Sequence, residues 1–236
     1  MMKRTLALFL ALLMALSLVA CGGDDTTATL TSTEWKAVLN YMSGSGERTL
    51  SFEKDGTGSF HSSGGHGGNF TWSAQDDEVD VKLEAVGFSG GSSFYSYTFD
   101  LVEGSDSYRL VENDKSENSG HWIFVPEDKY ESETSALKAE RKKEAKSLDW
   151  DAVSRLRAYN IAECREQYKG KLLSYTGFVT EIHDGYCYMN TRNPITAYVS
   201  GEDLANIKTG DLITVIGFLS VSELSASIYD AFIVEE

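Results

Sequence analysis

The sequence predicts a mainly β protein made of two units. One is an antiparallel meander over residues 30–126 that curls into a barrel or half-barrel. The other is a five-stranded barrel with a leading helix over 150–236. Three observations predict this. Short pieces alternating apolar and polar residues recur through both stretches, as half-buried strands require. Glycine-rich turns separate the pieces. A charged stretch with few large apolar residues, 127–149, divides the two units.

Ahead of the first unit, Lys3 and Arg4 precede an apolar run that stops at Leu18-Val19-Ala20-Cys21. A cationic segment, an apolar core and small residues before a cleavage point make an export signal. With Cys placed directly after Ala20, residues 1–20 resemble the signal peptide of bacterial lipoproteins. The resemblance implies cleavage before Cys21, a diacylglyceryl group on its sulfur and further acylation such as palmitate. The protein would then be anchored on the extracytoplasmic face of a bacterial cell membrane. Residues 21–29 read as a polar, flexible tether. A retained signal anchor and a secreted chain without lipid are the alternatives.

Trp35 opens the first strand of the meander. Alternating pieces follow at 49–53, 58–60, 69–72, 78–83, 95–101, 107–110 and 121–125. Lys54-Asp55-Gly56 suits a tight hairpin. Glycines at 44–46, 64–68 and 90–91 and the run 103–106 close other turns. Consecutive strands with short turns favour a meander closed to limit its edges. Trp35, the hairpin at 49–60 and the Phe70–Trp72 piece resemble lipocalin-like lipoprotein domains. That likeness implies a small barrel and no fixed catalytic residues. If the barrel is hollow, Phe52, Phe70, Trp72, Tyr97 and Phe99 are the expected cavity lining.

Residues 127–149 form the boundary. Good helix formers run from 135 to 146, but Leu137 is the one substantial apolar anchor. The segment reads as a solvated, partly helical connector; the alternative is a helix covering the first unit's open end. A helix over 150–168 follows, with Trp150, Val153, Leu156, Asn160 and Cys164 on one face. Asp149 or Asp151 suits its N-terminus, and Gly170 its C-terminus.

Strands are expected at 171–182, 186–189, 194–199, 212–219 and 226–234, with a helical turn at 202–207. Gly177 and Gly217 sit mid-strand, where small barrels bend. This pattern suggests an OB-type barrel. The stretch from Asp151 to the end resembles the tRNA_anti-like OB-fold family. Ala158-Tyr159-Asn160, Tyr168-Lys169-Gly170-Lys171, Thr176-Gly177 and the run 207–219 carry the likeness. Cys164 departs from it, standing where a small Ala is usual. The family's name is no reason to expect tRNA.

Chemistry is harder to find. The net charge of −15 offers no dense positive surface, which speaks against nucleic acid as a partner. Cys164 and Cys187 either form a disulfide or remain small buried hydrophobes. His61, His66, His121 and His183 show no metal-ligand spacing and read as surface histidines. The glycine-rich loop at 64–68 joins two strands, so it lacks the strand-to-helix setting of a phosphate cradle. The adjacent acids at 76–78, 202–203 and 235–236 are not held across a cleft. No serine sits in a nucleophile elbow. The reading is of no catalytic residues, no metal and no cofactor.

Aromatics remain. Tyr175, Tyr186, Tyr188 and Tyr198 lie on the first three strands of the second barrel, where exposed rings bind partners and buried ones fill the core. The chain therefore reads as a membrane-anchored, non-catalytic binding or adaptor lipoprotein. Its partner would be an envelope protein, peptide or glycan. The alternative is a small hydrophobic-ligand carrier using the first barrel. An adaptor needs a contiguous aromatic patch on the second barrel; a carrier needs a sizeable apolar cavity in the first.

Overall fold

The computed structural model describes residues 23–38, 47–63, 67–86, 92–113, 122–190 and 192–234. The signal, Cys21, His66, His121 and the acids at 235–236 lie outside them.

Eight antiparallel strands form the first barrel: β1 (Glu34–Val38), β2 (Arg48–Phe52), β3 (Thr57–Ser62), β4 (Gly67–Gln75), β5 (Glu78–Val86), β6 (Ser92–Glu103), β7 (Tyr108–Glu112) and β8 (Ile123–Pro126). Each pairs with the next, and β8 pairs back onto β1, closing the sheet. Every alternating piece in the sequence became a strand. Inward residues Leu50, Phe52, Phe70, Val79, Val81, Phe99, Leu101, Leu110 and Phe124 form one core.

The expected tether is helical from Gly23 onward. Helix α1 (Gly23–Leu30) plugs the end of the barrel where β1 begins. Leu30 is fully buried. Trp35 Nε1 donates to the Leu30 carbonyl at 3.0 Å, and Thr26 Oγ1 donates to the Asp76 carbonyl at 2.9 Å. The polar composition at 22–27 disguised this, because the apolar anchor lies past the segment, at Leu30.

After a 3-10 turn at Glu127–Lys129, helix α2 (Tyr130–Glu144) runs along the outside of β1 and β8. It is not solvated all round. Glu133, Leu137 and Arg141, four apart, form a buried stripe. Two of the three are charged, so a search for apolar spacing passes over them. The Glu133 carboxylate accepts from the backbone N–H of Ser105 at 3.2 Å, of Asp106, and of Ser107 at 2.9 Å. Arg109 Nε donates to it at 2.7 Å, while the Arg109 fork holds Glu140 at 2.8 and 3.1 Å. Burial pushes the Glu133 carboxyl up, but these donors together outweigh it and hold its pKa below the ordinary value. A Cβ on Gly104 would stand 2.6 Å from this carboxylate, so a larger residue there would push Glu133 off its donors.

The other end of α2 grips the second barrel. Arg141 Nη1 donates to the Asp230 carbonyl at 2.8 Å, and its guanidinium lies 4.9 Å from the Phe218 ring centre. Val38, Ile123 and Val125 of the first barrel, Leu137 of the helix, and Ile216 and Phe232 of the second barrel make one apolar cluster. The connector is thus a strut packed between the barrels.

The second barrel comprises β10 (Leu172–His183), β11 (Tyr186–Met189), β12 (Ile195–Val199), β13 (Leu212–Val221) and β14 (Ala226–Val234). Helix α5 (Gly201–Ala205) lies between the third and fourth of these. The strands close in the order β10-β11-β12-β14-β13, with β12 and β14 parallel, which is OB-type topology. A two-residue strand β9 (Lys146–Ser147) adds parallel to β10. Gly217 falls at the register shift between Ile216 and Phe218, where the Tyr229 carbonyl would be 2.5 Å from any Cβ.

The single helix expected at 150–168 is two: α3 (Trp150–Tyr159) and α4 (Ile161–Tyr168). Asn160 takes an extended conformation, φ −152° and ψ 87°, and its side chain caps α4 by accepting from the Glu163 N–H at 3.2 Å. Asp149 caps α3 in the same way through Ala152. The break lets Trp150, Val153 and Cys164 all reach the core. Cys164 and Cys187 are both buried, and both are free thiols in this structure. Burial pushes the Cys187 thiol up to about 11.

Candidate functional site

The first barrel is solid at one end and hollow at the other. Near the α1 plug, Leu30, Trp35, Phe52 and Leu110 pack together, and Phe52 meets Phe70 and Trp72 edge-on at 5.2 and 5.4 Å. Toward the opposite end lies a cavity of about 470 Å³. This is within the range of about 300–1,000 Å³ that small-molecule sites occupy. Its wall is set by strand periodicity: alternate residues of β2, β3, β5 and β6 all point inward. Of the residues expected to line it, Phe70, Tyr97 and Phe99 do. Phe52 and Trp72 instead form the packed floor beneath, where Trp72 Nε1 donates to the Glu53 and Thr57 carbonyls at 3.1 and 2.9 Å.

The remaining wall includes Leu50, Phe60, Val81, Leu83, Trp122 and Phe124. Most of these alternate in phase with the expected residues, so periodicity carried the signal. The polar members sit at the mouth. Arg48 is the first residue of β2, and Ser62, its partner in the β2–β3 register, is the last of β3. The Arg48 guanidinium lies 4.7 Å from the Trp122 ring centre. Burial raises the pKa of Tyr97, and nearby Glu112 raises it further.

The second candidate is the outer face of the OB-type barrel. Tyr186 and Tyr188 point outward because Cys187 and Met189 point in. Tyr186 stands opposite Tyr198 in the β11–β12 register, with ring centres 5.6 Å apart. Tyr198 stacks on Tyr229 at 4.8 Å and 5°. His183 stacks on Tyr186 at 4.7 Å and meets Tyr188 edge-on at 5.6 Å. Five rings thus make one continuous ladder. Tyr229 was missed in the sequence because the parallel pairing of β12 with β14 could not be foreseen. Tyr175, expected with this group, is buried on the inner side, where its hydroxyl accepts from Asn190 Nδ2 at 2.9 Å. Burial raises the pKa of Tyr198, and its tyrosine neighbours add to that.

The other sequence candidates do not assemble into reactive groups. His61 is exposed on β3, beside a polar hollow with Ser59, Asn69 and Glu84. Asp76 and Asp77 form the β4–β5 turn, with Asp76 at φ 54°. Asp203, near the start of α5, bonds Lys138 at 3.4 Å. Among the described residues, no group of three His, Cys, Asp or Glu could hold a metal ion. No described helix is long and apolar enough to cross a membrane.

No family model matches the chain, and no curated protein matches its sequence. What the structure shows is two β-barrels, one of eight strands and one of five.

Proposed function

We propose that the protein is a lipid-anchored, non-catalytic carrier that holds a small apolar molecule inside its eight-stranded barrel on the outer face of a bacterial membrane. One observation carries this reading: the roughly 470 Å³ apolar cavity above a solid floor. A barrel whose only task is spacing gains stability from filling its interior, since empty apolar volume costs packing energy. A carrier accepts that cost. Alternation along the strands builds the wall, and the α1 plug keeps one end shut.

The neutral fluorophore N-phenyl-1-naphthylamine tests the carrier. The protein should bind it at one site, with enhanced fluorescence. Leu83→Trp, which fills the cavity, should abolish binding while leaving thermal unfolding cooperative. Binding that survives Leu83→Trp would remove the cavity from the account. A second reading, an adaptor for an envelope protein, peptide or glycan, is favoured by the aromatic ladder from His183 to Tyr229. If the fluorophore does not bind at all, that ladder becomes the leading candidate.

A further inference from the structure

We infer that the molecule held in the barrel cavity carries a neutral hydrogen-bonding oxygen, a hydroxyl or a carbonyl, which meets the hydroxyls of Ser62 and Tyr97 while its apolar body fills the space below. This rests on the carrier reading and adds the chemical class of the ligand to it.

Ser62 ends β3, and its side chain lies on the inner face with that of Phe60, two residues before it. It lines the cavity and is 6% exposed. Tyr97 enters the same cavity from β6. Among the described residues, neither hydroxyl has a hydrogen-bond partner. Buried polar groups are nearly always paired, because an unpaired one loses its hydration without return. A ligand oxygen supplies what is lacking. It accepts from the Tyr97 O–H, and it accepts from or donates to the Ser62 hydroxyl. Below, the side chains of Leu50, Phe70, Val81 and Phe99 offer no polar atom, so the rest of the ligand is apolar. A plain hydrocarbon would expel water from the cavity and leave both hydroxyls unpaired.

The two hydroxyls belong to one end of the cavity. Ser62 is the register partner of Arg48. Burial raises the pKa of Tyr97, Glu112 and Tyr95 add to this, and Arg48 opposes it, which puts the phenol within reach of the same guanidinium. With its pKa raised, the phenol keeps its proton at neutral pH and acts as a donor. The charged residues nearby are already engaged within the protein. Arg48 packs over the Trp122 ring and interacts further within the chain, and Glu112 accepts the Trp122 N–H at 2.9 Å. Neither calls for a counter-charge from the ligand, so the group that meets Ser62 and Tyr97 is neutral.

The experiment uses 2-naphthol, 2-methylnaphthalene and 2-naphthoate, which share one ring system and differ in a single group. Each is titrated against N-phenyl-1-naphthylamine bound to the protein, with the fluorophore's own affinity measured for every variant. Ser62→Ala and Tyr97→Phe should each weaken 2-naphthol about fivefold, the scale of one neutral hydrogen bond, and should not weaken 2-methylnaphthalene. 2-Naphthoate should bind no more tightly than 2-naphthol. If the substitutions weaken 2-naphthol and 2-methylnaphthalene alike, or leave 2-naphthol unchanged, the hydroxyls do not read the ligand; the inference is wrong and the carrier reading stands. Tighter binding of 2-naphthoate would overturn the neutral class. If the fluorophore binds and no naphthalene displaces it, the inference again fails alone. If neither the fluorophore nor any naphthalene binds the wild type, the carrier reading fails with it. Cooperative thermal unfolding checks that each variant folds, and if one does not, the other decides by the same criteria.

Discussion

Glu133 shows how one side chain joins two elements. Its carboxylate accepts three backbone N–H groups of the β6–β7 turn and the Arg109 side chain, from a fully buried position. Buried charges survive only when hydrogen-bonded on all sides, and removing one member leaves the others exposed to the loss. Glu133→Gln should therefore cost about 3 kcal/mol in denaturant unfolding at pH 7. The pH dependence follows from the sign of the shift. The folded pKa lies below the ordinary 4.5, so the stabilisation is complete above that value and fades as pH falls through the folded one. Glu133→Gln should flatten the acid limb of a stability–pH curve. An acid limb with the wild-type slope would show that Glu133 does not govern it. Nothing in the local sequence marks Glu133, since a glutamate in a charged helix normally faces water.

At the scale of elements, strands were far more legible than helices. Alternation specified seven of the eight strands of the first barrel, with Trp35 marking β1, because period two is imposed by the pleat itself; the five main strands of the second were legible too. Helix α1, and the burial of α2 though not its helical character, escaped because tertiary anchors hold them. In α1 these are Thr26 and Leu30; in α2 they are Glu133, Leu137 and Arg141. The α3–α4 break escaped because Asn160 reads equally well as a helical residue or as a cap. The plug carries its own prediction. Leu30→Ala removes a fully buried side chain from the barrel floor and should destabilise the first barrel by about 2–5 kcal/mol. Thermal unfolding would measure this. A loss under about 0.5 kcal/mol, the level of an ordinary surface substitution, would mean that α1 rests on the barrel without sealing it.

The two ends of the first barrel differ. Helix α1 begins at Gly23, two positions after Cys21, and closes one end of the first barrel. The cavity mouth, with Arg48 and Ser62, lies at the other end. Cys21→Ala tests the anchor. The variant should lose incorporation of an alkynyl palmitate analogue and leave the membrane fraction, while binding N-phenyl-1-naphthylamine as the wild type does. Retention in the membrane without acyl label would point to an uncleaved signal anchor. Helix α2 fixes the second barrel beside the mouth through Arg141 and the shared apolar cluster, so the two barrels form one body.

By itself the sequence determined the two β units, nearly every strand and most of the outward tyrosines. All of these depend on local pattern, which a chain carries without knowing its partners. Tertiary structure alone decided which aromatics leave a hollow and which fill the floor. It also decided that Tyr229 joins Tyr198, that a charged connector is a buried strut, and that Arg48 stands at the cavity mouth. Those outcomes depend on register and closure between strands distant in sequence, and no local periodicity encodes them.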